Sequence, residues 1–206
     1  MSDPVPANPN GVGASPLRKE DARHLAGRGR FVADIPFERG LEAAIIRSPV
    51  AHGILKSVDP GAVPAGCRVF TARDFPEIQP IRAVPRVPGF KASDFPIFAT
   101  DKVRYVGQPI GMCVAPTAAE AEDIAQRVFV DVEELPAIVD TREATTRTDP
   151  LLHESWGDNI FIERDVAGGD IDTARTTAEI TVINEFRLNR HAAIPLENRS
   201  VLAVWD

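Results

Sequence analysis

From position 17 onward, short apolar runs alternate with clusters of Pro, Gly, Ser, Asn and Asp. Runs of this length bounded by turn residues predict strands. Segments 41–47 and 54–58 are the first clear pair, separated by the turn-like Ser48-Pro49-Val50-Ala51-His52-Gly53. A short extended piece is expected over 31–35, and a further strand over 67–71, entered from the Pro- and Gly-containing loop 60–66. Segments 103–105 and 110–115 predict the next strands, split by Gly107-Gln108-Pro109.

The period then becomes helical. Thr117-Ala118-Ala119-Glu120 is a capping box, in which the threonine and the glutamate satisfy each other's backbone donors. Ala121, Ile124, Ala125 and Val128 follow at helical spacing and define a buried face. A strand over 129–135 comes next, and strand, helix, strand predicts a helix packed across a sheet. Beyond Pro136 the pattern loosens. Segment 145–158 is polar and loop-like, and a domain boundary is placed there. Strands are expected over 160–166, 180–188 and 201–205. Gly168-Gly169-Asp170 predicts a turn, with Asp170 capping a short helix over 171–178. The last expected strand runs up to Asp206 with a full hydrophobic pattern, so a second domain is expected to be incomplete.

Two stretches break the pattern. Residues 1–16, rich in Pro, Asn, Gly and Ser, predict a flexible leader. Residues 76–96 contain Pro76, Pro80, Pro85, Pro88 and Pro96, which exclude a helix because each lacks an N–H donor. A long loop of this kind is usually functional or held at an interface, and Phe90, Phe95 and Phe98 give it apolar surface for a partner.

Composition narrows the classes. The chain has 206 residues, 44% hydrophobic and 26% charged, ordinary for a globular protein. Its net charge of −7 argues against nucleic acid and against an anionic membrane surface. No apolar run approaches the roughly 20 residues needed to span a bilayer, and the N-terminus lacks the basic and apolar regions of a signal peptide. Cys67 and Cys113 have no metal or redox spacing, and read as reduced thiols of a cytoplasmic protein.

Candidate chemistry is sparse. Gly27-Arg28-Gly29 opens no helix and reads as a turn. His24, His52, His153 and His191 are too scattered for a zinc set. Ser48 and His52 have no nucleophile elbow around them. Glu133 and Glu134 are neighbours on a strand and point to opposite faces. Gln108 has two readings: its amide bonds the backbone of a sharp bend, or it sits near a substrate channel. Glu197 and Arg199 are two apart, so on a strand they share a face. They read as an ion pair at a domain interface, or as part of the wall of an assembled active site.

Five segments resemble, in order, the opening of the xanthine dehydrogenase/aldehyde oxidase family, in its aerobic carbon-monoxide-dehydrogenase-like branch. The first is Leu17-Arg18-Lys19-Glu20-Asp21-Ala22-Arg23 with Gly27, Gly29, Phe31 and Asp34. The second is Arg47-Ser48-Pro49-Val50-Ala51-His52-Gly53 leading to Asp59, and the third Cys67-Arg68-Val69-Phe70-Thr71-Ala72-Arg73-Asp74. The fourth and sharpest is Val103-Arg104-Tyr105-Val106-Gly107-Gln108-Pro109-Ile110, followed by the alanine-rich helix and Val130-Asp131-Val132-Glu133-Glu134-Leu135-Pro136. The fifth is Gly169-Asp170 with Pro195-Leu196-Glu197-Asn198-Arg199.

The resemblance implies an α+β protein: an α/β hammerhead domain over 17–144, then a linker and the incomplete start of a molybdopterin-binding domain over 145–206. It implies a molybdenum hydroxylase that oxidises an aldehyde, an N-heterocycle or carbon monoxide with water as oxygen source. The assembled complex would carry molybdenum-molybdopterin cytosine dinucleotide, with iron-sulfur clusters and FAD on partner subunits. The family's glutamine segment at the metal, its glycine-rich cofactor loop and its catalytic glutamate have no counterpart here. No catalytic, metal or cofactor-binding residue is therefore carried over. Gln108, Glu197 and Arg199 remain as substrate-channel or interface candidates. A large subunit split into two polypeptides, whose complementary fragment is this chain's partner, fits this pattern. So do a truncated relative and a stand-alone hammerhead interaction module.

Overall fold

A computed structural model describes residues 11, 12, 14, 16–83, 86–189, 191–195 and 197–205. The expected leader over 1–16 thus lies mostly outside the described residues. The chain divides into two compact units: the described residues of Met1–Glu38 with those of Ile183–Asp206, and Arg39–Val182.

In the first unit, helix α1 (Asp21–Leu25) is followed by a single 3-10 turn at Val32–Asp34. The extended piece expected over 31–35 is therefore corrected. The Asp34 carboxylate accepts the Phe31 N–H at 2.9 Å, a local bond that curls the backbone where the apolar pattern predicts extension.

The second unit is built on strands β1 (Glu42–Arg47), β2 (Gly53–Asp59), β3 (Arg68–Thr71), β4 (Ile81–Arg82), β5 (Asp94–Phe95), β6 (Lys102–Val103), β7 (Pro109–Ala115) and β8 (Phe129–Glu134). One antiparallel sheet has the order β1-β7-β3, another β6-β2-β8, and β4 with β5 forms a separate ribbon. The register is fixed by pairs such as Ile45 with Met112 and Val69 with Cys113 in the first sheet, and Val58 with Val130 in the second. Each sheet carries one irregularity, between Ile46 and Arg47 and between Leu55 and Ser57. Strand β6 is shorter than the expected 103–105, because the chain leaves the ladder after Val103 to form the bend that ends at Gln108.

Helix α2 (Ala118–Arg127) starts at Thr117, whose Oγ1 accepts the Glu120 N–H at 3.2 Å and lies 2.9 Å from the Glu120 carboxylate. Its Ala121 and Ile124 are buried, and the helix lies against β1 and β7. It leads from β7 in one sheet to β8 in the other, instead of returning to the sheet it left. Ile46, Val103, Ile110, Cys113, Ala121, Ile124 and Val128 form the core, with Leu55, Val58, Val69, Val130 and Val132 packed against it. The pairing of two small sheets with one helix over a shared apolar interior is how a mixed fold buries its faces.

Helices α3 (Thr141–Thr146) and α4 (Ile171–Thr177) are capped by Asp140 and Asp170. The second matches the expectation, with Gly169 at φ +72° and Asp170 accepting the Thr173 N–H at 3.0 Å. The strands expected over 160–166, 180–188 and 201–205 are corrected: their described residues form no strand. A strand persists only when a neighbour takes up its ladder groups, and these segments meet none here. Phe161 keeps one such bond, from the Lys91 N–H.

Candidate functional site

Ser48, His52, Lys102 and Gln108 are polar yet buried, and all sit on the β1–β2 turn or beside the bend that precedes β7. Gly107 holds φ +81°, the left-handed region that favours glycine, and turns the chain sharply. The turn and the bend are stitched together: the Ser48 N–H donates to the Gln108 carbonyl at 2.9 Å, and the Gly107 N–H to the Ser48 carbonyl at 2.8 Å. The Gln108 side-chain Oε1 accepts the Arg104 N–H at 2.6 Å, and Arg47 Nη1 donates to the Gly107 carbonyl at 2.9 Å. Gln108 is thus engaged with the backbone of the bend.

Lys102 extends this region. It is only 4% exposed, yet its Nζ donates to the Leu151 carbonyl at 2.7 Å and to the Glu154 carboxylate at 2.6 Å. That hydrogen bond holds the Glu154 carboxyl below the usual carboxylate range. Arg104 Nε donates to the Leu152 carbonyl at 3.1 Å. A second anchor lies nearby in sequence: Lys91 Nζ pairs with Asp158, and Trp156 Nε1 donates to the Ala92 carbonyl at 3.1 Å. Trp156 packs against His153 and Phe161, and Phe161 meets Phe90 edge-on at 4.7 Å. Burial pushes the His153 imidazole to lower pKa, helped by the charge of Arg104. The bonds made by Lys91, Lys102, Arg104 and Trp156 Nε1 are not legible in the sequence, since each joins residues 48 or more positions apart.

His52 is 3% exposed. Its Nδ1 lies 3.0 Å from the Pro136 carbonyl, which only accepts, so in the neutral ring Nδ1 carries the proton. Nε2 is buried without a hydrogen-bond partner. Ser48 does not face it as a nucleophile: its Oγ donates to the Val50 carbonyl at 2.7 Å and accepts the Val50 N–H. Glu197 accepts the Val32 N–H at 2.8 Å. No ion pair joins it to Arg199 among the described residues. The expected shared face is lost because 197–199 is not a strand.

A groove of about 180 Å³ is lined by Leu55, Lys56, Thr71, Arg73, Ala99 and Ile110 among others. Lys56 is the residue skipped by the β2–β8 register and is paired with Glu133 at 2.5 Å. Among the described residues no group of three His, Cys, Asp or Glu side chains is placed to hold a metal. The Cys113 thiol is buried and pushed up in pKa by desolvation, which makes it a poor ligand or nucleophile. No helix among the described residues is long and apolar enough to cross a membrane.

Comparison with known proteins places these features. The profile of one family, described as aldehyde oxidase and xanthine dehydrogenase, a/b hammerhead domain, matches residues 26–136. The nicotine 6-hydroxylase large subunit of Paenarthrobacter nicotinovorans is 34% identical over 205 residues, which are 98% of this chain and 25% of that protein. The nicotinate dehydrogenase large molybdopterin subunit of Eubacterium barkeri is 24% identical over 201 residues, 95% of this chain and 44% of that protein. Among solved structures, the aldehyde oxidoreductase of Desulfovibrio gigas superposes with a TM-score of 0.68 at 27% identity, over 80% of this chain and 19% of that one. The chain thus spans between a quarter and a half of the length of these curated relatives. The match over 26–136 takes in both sheets, helix α2 and the stitched bend at Gln108, and on it the chain belongs to the aldehyde oxidase and xanthine dehydrogenase family, through its a/b hammerhead domain.

Proposed function

We propose that this chain is the hammerhead-bearing portion of a molybdenum-hydroxylase large subunit and scaffolds the active site together with a partner chain. The hammerhead domain would take up 17–144, and 145–206 would be the linker and the start of the molybdopterin-binding domain. The assembled enzyme would oxidise an aldehyde, an N-heterocycle or carbon monoxide, with water supplying the oxygen. The observation that carries this reading is the match of 98% of this chain to 25% of a hydroxylase large subunit. The relative from Eubacterium barkeri adds to it: the matched stretch takes up 44% of that protein, so a named molybdopterin subunit of this family is a shorter chain.

The molybdopterin group does not fit the described residues of this chain. The groove at Lys56 is lined by residues of β2, β3 and β7 and of segments 72–73 and 99–100, none of them a buried polar side chain. The cofactor, molybdenum-molybdopterin cytosine dinucleotide, would be held by the partner chain, with iron-sulfur clusters and FAD on further subunits. In cofactor enzymes of this kind the protein supplies position and environment. The contribution of this chain would be the rigid bend at Gln108 and surfaces around Glu197 and Arg199 offered to the partner, in the cytoplasm.

The test is co-expression in the native host. Alone, the chain is expected to purify without molybdenum by elemental analysis. With the polypeptide carrying the rest of the large subunit it should co-purify at equal stoichiometry, and the complex should contain the metal. A monodisperse monomer that ignores that polypeptide would sink the proposal.

A further inference from the structure

The groove beside Lys56 is built by an irregularity. In a regular strand successive side chains point to opposite faces, so only every second residue lines one side. Here Leu55, Lys56, Ser57 and Val58 all line the groove. The β2–β8 register skips Lys56, and a bulge of this kind re-aims the side chains around it. Another part of the lining is the end of β3, where Thr71, Ala72 and Arg73 lead from strand into a 3-10 turn over Ala72–Asp74. Leu55, Val58, Ala99 and Ile110 make the lining apolar on one part, and Ala99 and Ile110 are buried. All of these residues belong to one compact unit of the chain, Arg39–Val182.

The polar groups around the groove are unevenly satisfied. Lys56 is paired with Glu133 at 2.5 Å. The Asp74 carboxylate accepts the Thr71 N–H at 2.7 Å and the Thr71 hydroxyl at 3.1 Å, and the Thr100 hydroxyl donates to Asp101 at 3.2 Å. The Arg73 guanidinium forms no ion pair and the Ser57 hydroxyl no hydrogen bond among the described residues. A guanidinium is a planar fork of donors that matches a carboxylate through two parallel bonds. The groove of about 180 Å³ holds roughly six waters, room for one ring with its carboxylate.

We propose that this groove binds a small free organic monocarboxylate. Its charged end sits on the Arg73 guanidinium and the Ser57 hydroxyl, and its apolar body on Leu55, Val58, Ala99 and Ile110. Inorganic phosphate leaves the apolar part wet, and a neutral hydrocarbon leaves Arg73 unmatched. An acidic side chain of another protein brings only a short stem, which covers little of the apolar part. The proposal does not depend on the two-polypeptide reading.

The test follows binding of para-fluorobenzoate by fluorine NMR, with the full chain and with the assembly purified from the native host. A Kd on the order of 1 mM is expected for so small a ligand. Arg73→Gln should weaken binding by about tenfold or more, and Ser57→Ala by about threefold. Arg82→Gln should leave it unchanged, because that guanidinium is held by Asp94 on the β4–β5 ribbon. The uncharged para-fluorobenzyl alcohol should bind about tenfold more weakly than the acid. Thermal unfolding of each variant separates a lost ligand from a lost fold. Should Arg73→Gln disturb the fold, Arg73→Lys reads the same contact, since it keeps the charge and loses the fork. Three results overturn the proposal: no binding at about 10 mM acid, undiminished binding by the Arg73 variants, or alcohol binding as tight as that of the acid. Loss of the Arg73-dependent binding in the native assembly also overturns it, by showing the groove filled by a protein segment.

Discussion

Lys102 illustrates what one buried side chain does in this molecule. Its ammonium is taken out of water and satisfied from a distant segment, by the Leu151 carbonyl and by a Glu154 carboxylate that leans in from solvent. Removing the amine orphans the carbonyl and frees the segment. Lys102→Met is therefore expected to cost about 1–3 kcal/mol, measured by urea unfolding, with faster exchange confined first to 151–161. The same segment responds to acid. The His153 pKa is lowered by burial, so the unfolded chain binds the proton more readily than the folded one. That contribution is complete above the ordinary histidine value of about 6.5 and is lost as pH falls below it. The Glu154 pKa is lowered by its hydrogen bond to Lys102, so its contribution is present above the ordinary glutamate value and is lost at still lower pH. Both act in one direction. Trp156 fluorescence, read in a Trp205→Phe background, should show the segment loosening in two steps as pH drops, and His153→Gln should remove the first. A single step below pH about 5 in the unaltered chain would contradict this.

At the scale of elements, two glycines in one stretch do different work. Gly107 needs its positive φ, but a Cβ there would meet nothing within 4 Å. Gly111 in the middle of β7 has ordinary backbone, but a Cβ would come 2.6 Å from the Phe70 carbonyl of β3. Gly107→Ala is expected to cost about 1–2 kcal/mol through backbone strain with the sheet intact. Gly111→Ala should cost more and should loosen β3, which thermal unfolding and exchange of the 68–71 amides would reveal. Equal costs with an unaffected β3 would contradict the close approach. The helix over 118–127 and the strands around it are legible in the sequence because capping and periodicity are local. The curl at Val32–Asp34 and the short β6 are not, because a single side-chain acceptor overrides the pattern in one case and a bend stitched to another turn ends the ladder in the other.

For the whole molecule, the contrast between a closed core and a bare C-terminal stretch is the main feature. Val103, Ile110 and Cys113 are fully enclosed, whereas Ile183, Phe186, Leu188, Ile194 and Trp205 are each more than four-fifths exposed. An apolar surface of this extent is expected to bind a hydrophobic dye such as ANS in the isolated chain and to lose that binding in the two-polypeptide complex. Dye fluorescence that is the same in both states would mean the stretch stays open after assembly.

The sequence by itself determined the family, the helix and its buried face, and the strands of the two sheets to within a residue or two. These depend on local periodicity, caps and an ordered set of short motifs. Only the tertiary structure decided that Gln108 is spent on the Arg104 backbone, that Lys91 and Lys102 hold the segment around Trp156, and that Glu197 meets Val32 and not Arg199. Apart from the bend at Gln108, those contacts join positions distant in sequence, and nothing in the period of either partner records them. The strands expected beyond 160 show the same limit from the other side. Their pattern is written in the sequence, but a strand exists only when another strand completes its hydrogen bonds, and no described segment of this chain does so.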